Sequence, residues 1–184
     1  LENRISFNSE LAALMWYYDD QEARAMFGTA VNDFKALLQR YDQQMNTFGP
    51  SNSDDTSYNP FMGEPSERAK VTRKFRTAIG VRQQLAMSIA EHEPEIAYNF
   101  FLDSLSTITN PEFRKQMEQG DAAFEQRLIA QIAQTNASKA TELARRTLHK
   151  GFTAQHVEFL KQLYAKDQEK AVEAFRVYDR VALP

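Results

Sequence analysis

The sequence predicts an all-α fold of four antiparallel helix hairpins, about eight helices, stacked as a short α-solenoid or irregular bundle. Three observations predict it. One spacing of apolar and small residues occurs four times. It runs Leu11, Met15, Ala23, Phe27, Ala30, then Leu85, Ile89, Ala97, Phe101, Ser104. It returns as Leu128, Ile132, Ala140, Ala144, Thr147, and finally as Phe159, Leu163, Ala171, Phe175, Tyr178. A polar residue interrupts each set where two helices would meet: Asp19, Glu93, Asn136 and Asp167. Gly and Pro number only 6 each, few for a β-rich or loop-rich chain. A helical hairpin cannot bury its apolar face alone, so copies stack and share a core.

Taken in order, Ser9 or Asn8 is expected to cap a first helix reaching about Tyr18. Asp19 caps the second, with Glu22 three residues on in the manner of a capping box. Its apolar positions Met26, Phe27, Val31, Phe34, Leu37 and Leu38 follow a 3.6-residue period that fades near Asn46. Residues 47–66 are rich in Pro, Gly, Ser, Asn and Asp and predict a long flexible loop. Two readings of it stand: disorder, or anchoring on a helix surface through Tyr58, Phe61 and Met62.

Ser66 is the expected cap of a third helix reaching about His92. Glu93 caps the fourth, to about Thr109, with Pro94 at its first position, where a missing N–H costs nothing. Asn110-Pro111 repeats that signal and opens a fifth helix, with an interruption expected at Gly120-Asp121. Asn136 caps the sixth, which stops at Lys150-Gly151. Thr153 caps the seventh and Asp167 the eighth. We expect one helical-repeat domain over 1–184. The reference alanines stand 74, 43 and 31 residues apart, the loop and the longer fifth helix accounting for the unevenness.

The small residues have a packing reason of their own. Helices joined by a short turn approach to about 8–10 Å, and a small side chain at the crossing permits it. Ala140→Leu or Ala171→Leu is therefore expected to overpack the crossing and cost about 1–3 kcal/mol.

The second helices place a small residue, an aromatic four later and a small residue seven later. Ala23-Phe27-Ala30 and Ala97-Phe101-Ser104 resemble tetratricopeptide-like hairpins in this. Ala171-Phe175-Tyr178 replaces the last member, and Ala140-Ala144-Thr147 loses the aromatic. The chain resembles a degenerate member of that class, similar to uncharacterised bacterial helical-repeat proteins, over about half its length in four patches. The resemblance implies an inner groove lined by the first helix of each pair. The groove positions are Ser9, Ala13 and Trp16; Gln83, Met87 and Ala90; Gln126, Ala130 and Ala133; and Val157, Lys161 and Tyr164. Trp16 and Tyr164 are its large anchors, and Trp16→Ala with Tyr164→Ala is expected to abolish capture with helicity intact. Trp16 has a second reading as a core residue.

Composition bounds the chemistry. At 184 residues the chain can remove roughly 70% of its extended surface from water. With no cysteine, disulfides, thiolate metal sites and cysteine catalysis are excluded. No run approaches the roughly 18 apolar residues of a membrane span. The net charge of −3 argues against a whole-surface nucleic-acid binder. Within it, Arg68, Lys70, Arg73, Lys74, Arg76 and Arg82 form one basic helix, with Arg68, Arg73 and Arg76 on a broad face. That face is either solvated or a dock for an acidic partner or for the acidic N-terminal segment; no aromatics interleave to suggest single-stranded nucleic acid.

No catalytic constellation is recognisable. His92, His149 and His156 form no HExxH or ExxH pattern, and a His149–His156 pair across Gly151 lacks a third metal ligand. Asp19-Asp20 lacks the further carboxylate, one helical turn on, that a magnesium-binding pair needs: position 23 is Ala. Asp54-Asp55 lies outside any EF-hand pattern. No phosphate loop or GxSxG occurs, and Asn136-Ala137-Ser138 matches a glycosylation sequon that its capping role already explains. The reading is a non-enzymatic domain binding an unidentified protein or peptide, without cofactor or metal and with no nucleic acid. Alternatives are a small helical ligand-binding domain or enzyme without a motif, or a structural segment of a longer chain. The chain begins at Leu1, from which we expect a processed or truncated product. Its compartment is open, export being compatible with removal of an upstream signal peptide.

Overall fold

The structure, a computed structural model, describes residues 2–48, 66–147 and 154–182. The 47–66 connection with Tyr58, Phe61, Met62 and Asp54-Asp55 lies outside them, save for residues 47, 48 and 66, as do His149, Lys150-Gly151 and Thr153. The described residues form eight α-helices, one 3-10 helix and no strand. The α-helices are α1 (Glu2–Met15), α2 (Asp20–Thr47), α3 (Glu67–Ala90), α4 (Pro94–Asp103), α5 (Pro111–Thr135), α6 (Ala137–Thr147), α7 (Ala154–Lys166) and α8 (Gln168–Ala182). A 3-10 turn, Ser104–Thr107, follows α4.

The caps form locally. Asp19 Oδ1 accepts the amides of Gln21 and Glu22, and Ser66 Oγ accepts that of Ala69. Asn110 Oδ1 accepts from Glu112 and Phe113, Asn136 Oδ1 from Lys139, and Asp167 Oδ1 from Lys170. Each satisfies backbone donors that an α-helix leaves orphaned at its start.

Three boundaries differ from the sequence expectation. Ser9 does not cap α1, which begins two turns earlier; its hydroxyl donates back to the Ser6 carbonyl in mid-helix. The face of α1 that packs on α2 carries Ile5, Ser9 and Ala12, with Trp16 just beyond its end, and the buried Ile5 with the Arg4–Asp33 ion pair holds the added turns. Helix α4 stops at Asp103 and continues as a 3-10 turn, in which the Ser104 and Thr107 hydroxyls donate to carbonyls three residues back. Helix α5 runs through Gly120 without interruption. A glycine there costs about 1 kcal/mol, which burial of Met117 and Phe124 on either side offsets.

Packing divides the chain into two compact units, Leu1–Ser88 with Asn99–Glu118, and Ile89–Tyr98 with Gln119–Pro184. The first unit centres on α2, whose Ala23, Phe27, Ala30, Phe34, Leu37, Leu38, Tyr41 and Met45 are buried at helical spacing. Phe100 meets Phe27 and Phe34 edge-on at 5.9 and 5.7 Å, and Phe75 stacks on Phe113 at 3.7 Å. The Asp42 carboxylate ties α2 to the start of α5, accepting from the Thr109 amide and hydroxyl and from the Asn110 amide at 2.8 Å. Arg82 is fully buried, its face over the Phe101 ring, donating to Ser104 Oγ and the Phe101 carbonyl. It thereby neutralises carbonyl charge at the end of α4.

In the second unit α8 packs on both α6 and α7. Ala140, Leu143 and Ala144 of α6, Phe159 and Leu163 of α7, and Ala171, Ala174 and Tyr178 of α8 are buried. Across both units the four reference alanines, Ala23, Ala97, Ala140 and Ala171, are all buried, as close helix crossings require.

Candidate functional site

The α7–α8 hairpin carries more apolar surface than its own packing consumes. Phe159 and Leu163 turn inward on α7, while Val157, Leu160 and Tyr164 occupy a neighbouring face at spacings of three and four. On α8, Ala171 is buried but Val172 and Phe175 stand out. The small Ala171 lets the helices close, and the larger side chains wall a groove of about 610 Å³ lined by Val157, Leu160, Lys161, Tyr164, Ala171, Val172 and Phe175. Tyr164 is 53% exposed and Phe175 57%. Lys161 is the one ionised side chain of this lining, in a loose 3.6 Å pair with Glu158. An apolar concavity with a few polar groups on its rim is the common form of a binding site.

The sequence candidates divide sharply. Lys161 and Tyr164 line the groove together. Trp16 is 7% exposed, within the α1–α2 packing and 5.3 Å beneath the Arg24 guanidinium, so it is a core residue and no open anchor. Trp16→Ala would therefore cost stability and cannot isolate a binding defect. Gln126 is also buried, donating to Thr147 Oγ1 at 3.2 Å. Gln83 and Met87 are half-buried on α3.

Within the basic helix only part of the charge reaches solvent. Arg73 and Arg76 are exposed, but Arg68 is buried in an ion pair with Glu112 and Arg82 lies in the core. The expected broad face of Arg68, Arg73 and Arg76 is thus reduced to two arginines beside Lys74 and the paired Lys70.

Phe175 is the residue that sequence reasoning misplaced. Its spacing matches Phe27 and Phe101, which are buried, yet it is exposed. The signal for the groove was the pairing of Val172 with Phe175 on α8 and of Val157 with Leu160 and Tyr164 on α7, a second apolar face beside the first.

A buried polar cluster lies in the same unit. The Tyr98 hydroxyl donates to Glu125 Oε1 at 2.7 Å, and burial with that bond pushes its pKa well up. Thr147 Oγ1 donates to the Ala144 carbonyl and lies 3.0 Å from His156 Nε2. A hydroxyl has one proton, so with that donation made His156 Nε2 is the donor to Thr147. Burial lowers the His156 pKa, the Glu125 carboxylate partly opposing it, and the ring meets Tyr178 edge-on at 5.6 Å. Thr147 and His156 are both enclosed, and the hydroxyl proton is committed to a carbonyl, so the pair is not arranged as nucleophile and base. Among the described residues no three His, Asp or Glu side chains group to hold a metal ion.

Comparison with known proteins found no matching family model, no matching curated protein and no matching solved structure. No helix among the described residues is long and apolar enough to cross a membrane.

Proposed function

We propose that this chain is a non-enzymatic helical-hairpin repeat domain, similar to the tetratricopeptide-like class, that binds a protein or peptide partner. The binding site on this reading is the α7–α8 groove, and its ligand is an amphipathic helix. One observation carries the proposal: an aliphatic and aromatic groove, with Tyr164 and Phe175 as anchors, left open by the packing of its own unit. An amphipathic helix fits such a groove through apolar residues at i, i+3, i+4 and i+7. Large aromatic anchors carry most of the energy at interfaces of this kind.

The test uses a fluorescently labelled amphipathic peptide with leucines at those positions, titrated with the whole chain. Saturable binding is expected, weakened about tenfold or more by Tyr164→Ala or Phe175→Ala, with unchanged circular dichroism. Both side chains are exposed, so their loss leaves the core intact. Absence of binding, or binding indifferent to both substitutions, overturns the reading.

A further inference from the structure

Helix α1 is apolar on two sides. Its inner stripe, Ile5, Ser9, Ala12 and Trp16, is consumed against α2. A second stripe, Phe7, Leu11 and Leu14, repeats the same four-then-three spacing and continues to Tyr18 in the turn beyond. Phe7 is 63% exposed, Leu14 is 62% exposed and Leu11 is half-buried, so among the described residues the two ends of this stripe stand uncovered. Two large exposed apolar residues seven apart on one helix are what a helix–helix seam requires.

We propose that the outer stripe of α1 in one copy occupies the α7–α8 groove of a second copy, so that copies associate head to tail. The proposal rests on the reading of that groove as a helix-binding site and names its occupant. Dimensions agree: Phe7 and Leu14 stand about 10 Å apart along α1, as do Val157 and Tyr164 along α7. Leu11 falls between the first pair as Leu160 falls between the second.

Charge agrees as well. Glu10 flanks the stripe, exposed and with no ion-pair partner among the described residues. Lys161, the groove's cation, is held among the described residues by the exposed and loose contact to Glu158. A contact between two different surfaces of the same chain is heterologous, and repeats until it closes or is capped.

Sedimentation of the whole chain tests this. The wild-type mass average is expected to rise with concentration. Leu14→Asp removes the stripe and Phe175→Asp the groove, and each variant alone is expected to stay monomeric. Mixed in equal amounts they are expected to form a dimer and stop, because one working stripe meets one working groove. Phe7→Asp and Val172→Asp provide a second pair should either first variant lose helicity. Glu10→Lys and Lys161→Glu are each expected to weaken association severalfold, and together in one chain to restore it.

A monomeric wild type, single variants that still associate, or a mixture that stays monomeric overturns the proposal. If the wild type is monomeric while the labelled amphipathic peptide still binds, the groove reading stands and the α1 assignment falls. If the peptide fails too, both fall.

Discussion

His156 shows how burial turns one side chain into a pH sensor. Its ring is enclosed with Thr147, Tyr178 and Glu125 nearby, and desolvation favours the neutral form over the cation despite the carboxylate. The folded chain therefore binds the proton less readily than the unfolded chain, whose histidine titrates near 6.5. Stability from this source is fully present above about pH 6.5 and is lost as pH falls from there toward the lower folded value. Thermal melts between pH 7.5 and 5 are expected to show the loss, and His156→Gln, which keeps a donor toward Thr147 but cannot titrate, is expected to flatten it. A slope unchanged by that substitution would move the effect to another group. Arg82 poses the opposite case, a cation kept inside: its planar fork meets a hydroxyl, a helix-end carbonyl and an aromatic face at once, which a lysine ammonium cannot do.

Among the elements, helix starts and helix crossings hold the chain in register. Asp42 is the long-range example: a carboxylate on α2 receives three donors from the residues that precede α5, while Asn110 caps α5 from within. Asp42→Ala leaves those backbone donors unmet and is expected to cost about 1–3 kcal/mol. Asn110→Ala is expected to cost about 1 kcal/mol. The two should be non-additive in urea unfolding, since both act on one helix start; simple additivity would mean Asp42 acts elsewhere. Ala140, enclosed on α6, is now the better probe of the crossings than Ala171, which also borders the groove. Ala140→Leu is expected to cost about 1–3 kcal/mol, and an unchanged melting temperature would place it off the crossing.

At the scale of the whole molecule, the chain holds two compact units, and among the described residues packing leaves the α1 stripe and the α7–α8 groove open. Soluble proteins seldom expose contiguous apolar patches without a use for them. If folded copies associate and unfolded ones do not, mass action stabilises the fold as concentration rises. The wild-type melting temperature is expected to climb with protein concentration, and that of Phe175→Asp to stay constant. Equal dependence in both would remove Phe175 from the contact.

The helices, and the caps at Asp19, Ser66, Asn110, Asn136 and Asp167, were legible because their causes are local. Asp19, Asn110, Asn136 and Asp167 each bond amides two or three residues away, and periodic apolar residues declare a helix whatever lies opposite. Burial has no such local cause. Trp16 resembled a binding anchor and lies in the core, Phe175 shared the spacing of buried phenylalanines and stands in solvent, and Arg82 belonged to a basic helix and is enclosed. The 3.6-residue period fixes which residues share a face. Only the tertiary packing decides which of two apolar faces is covered, because the covering side chains belong to other helices, whose placement the spacing within one helix does not specify.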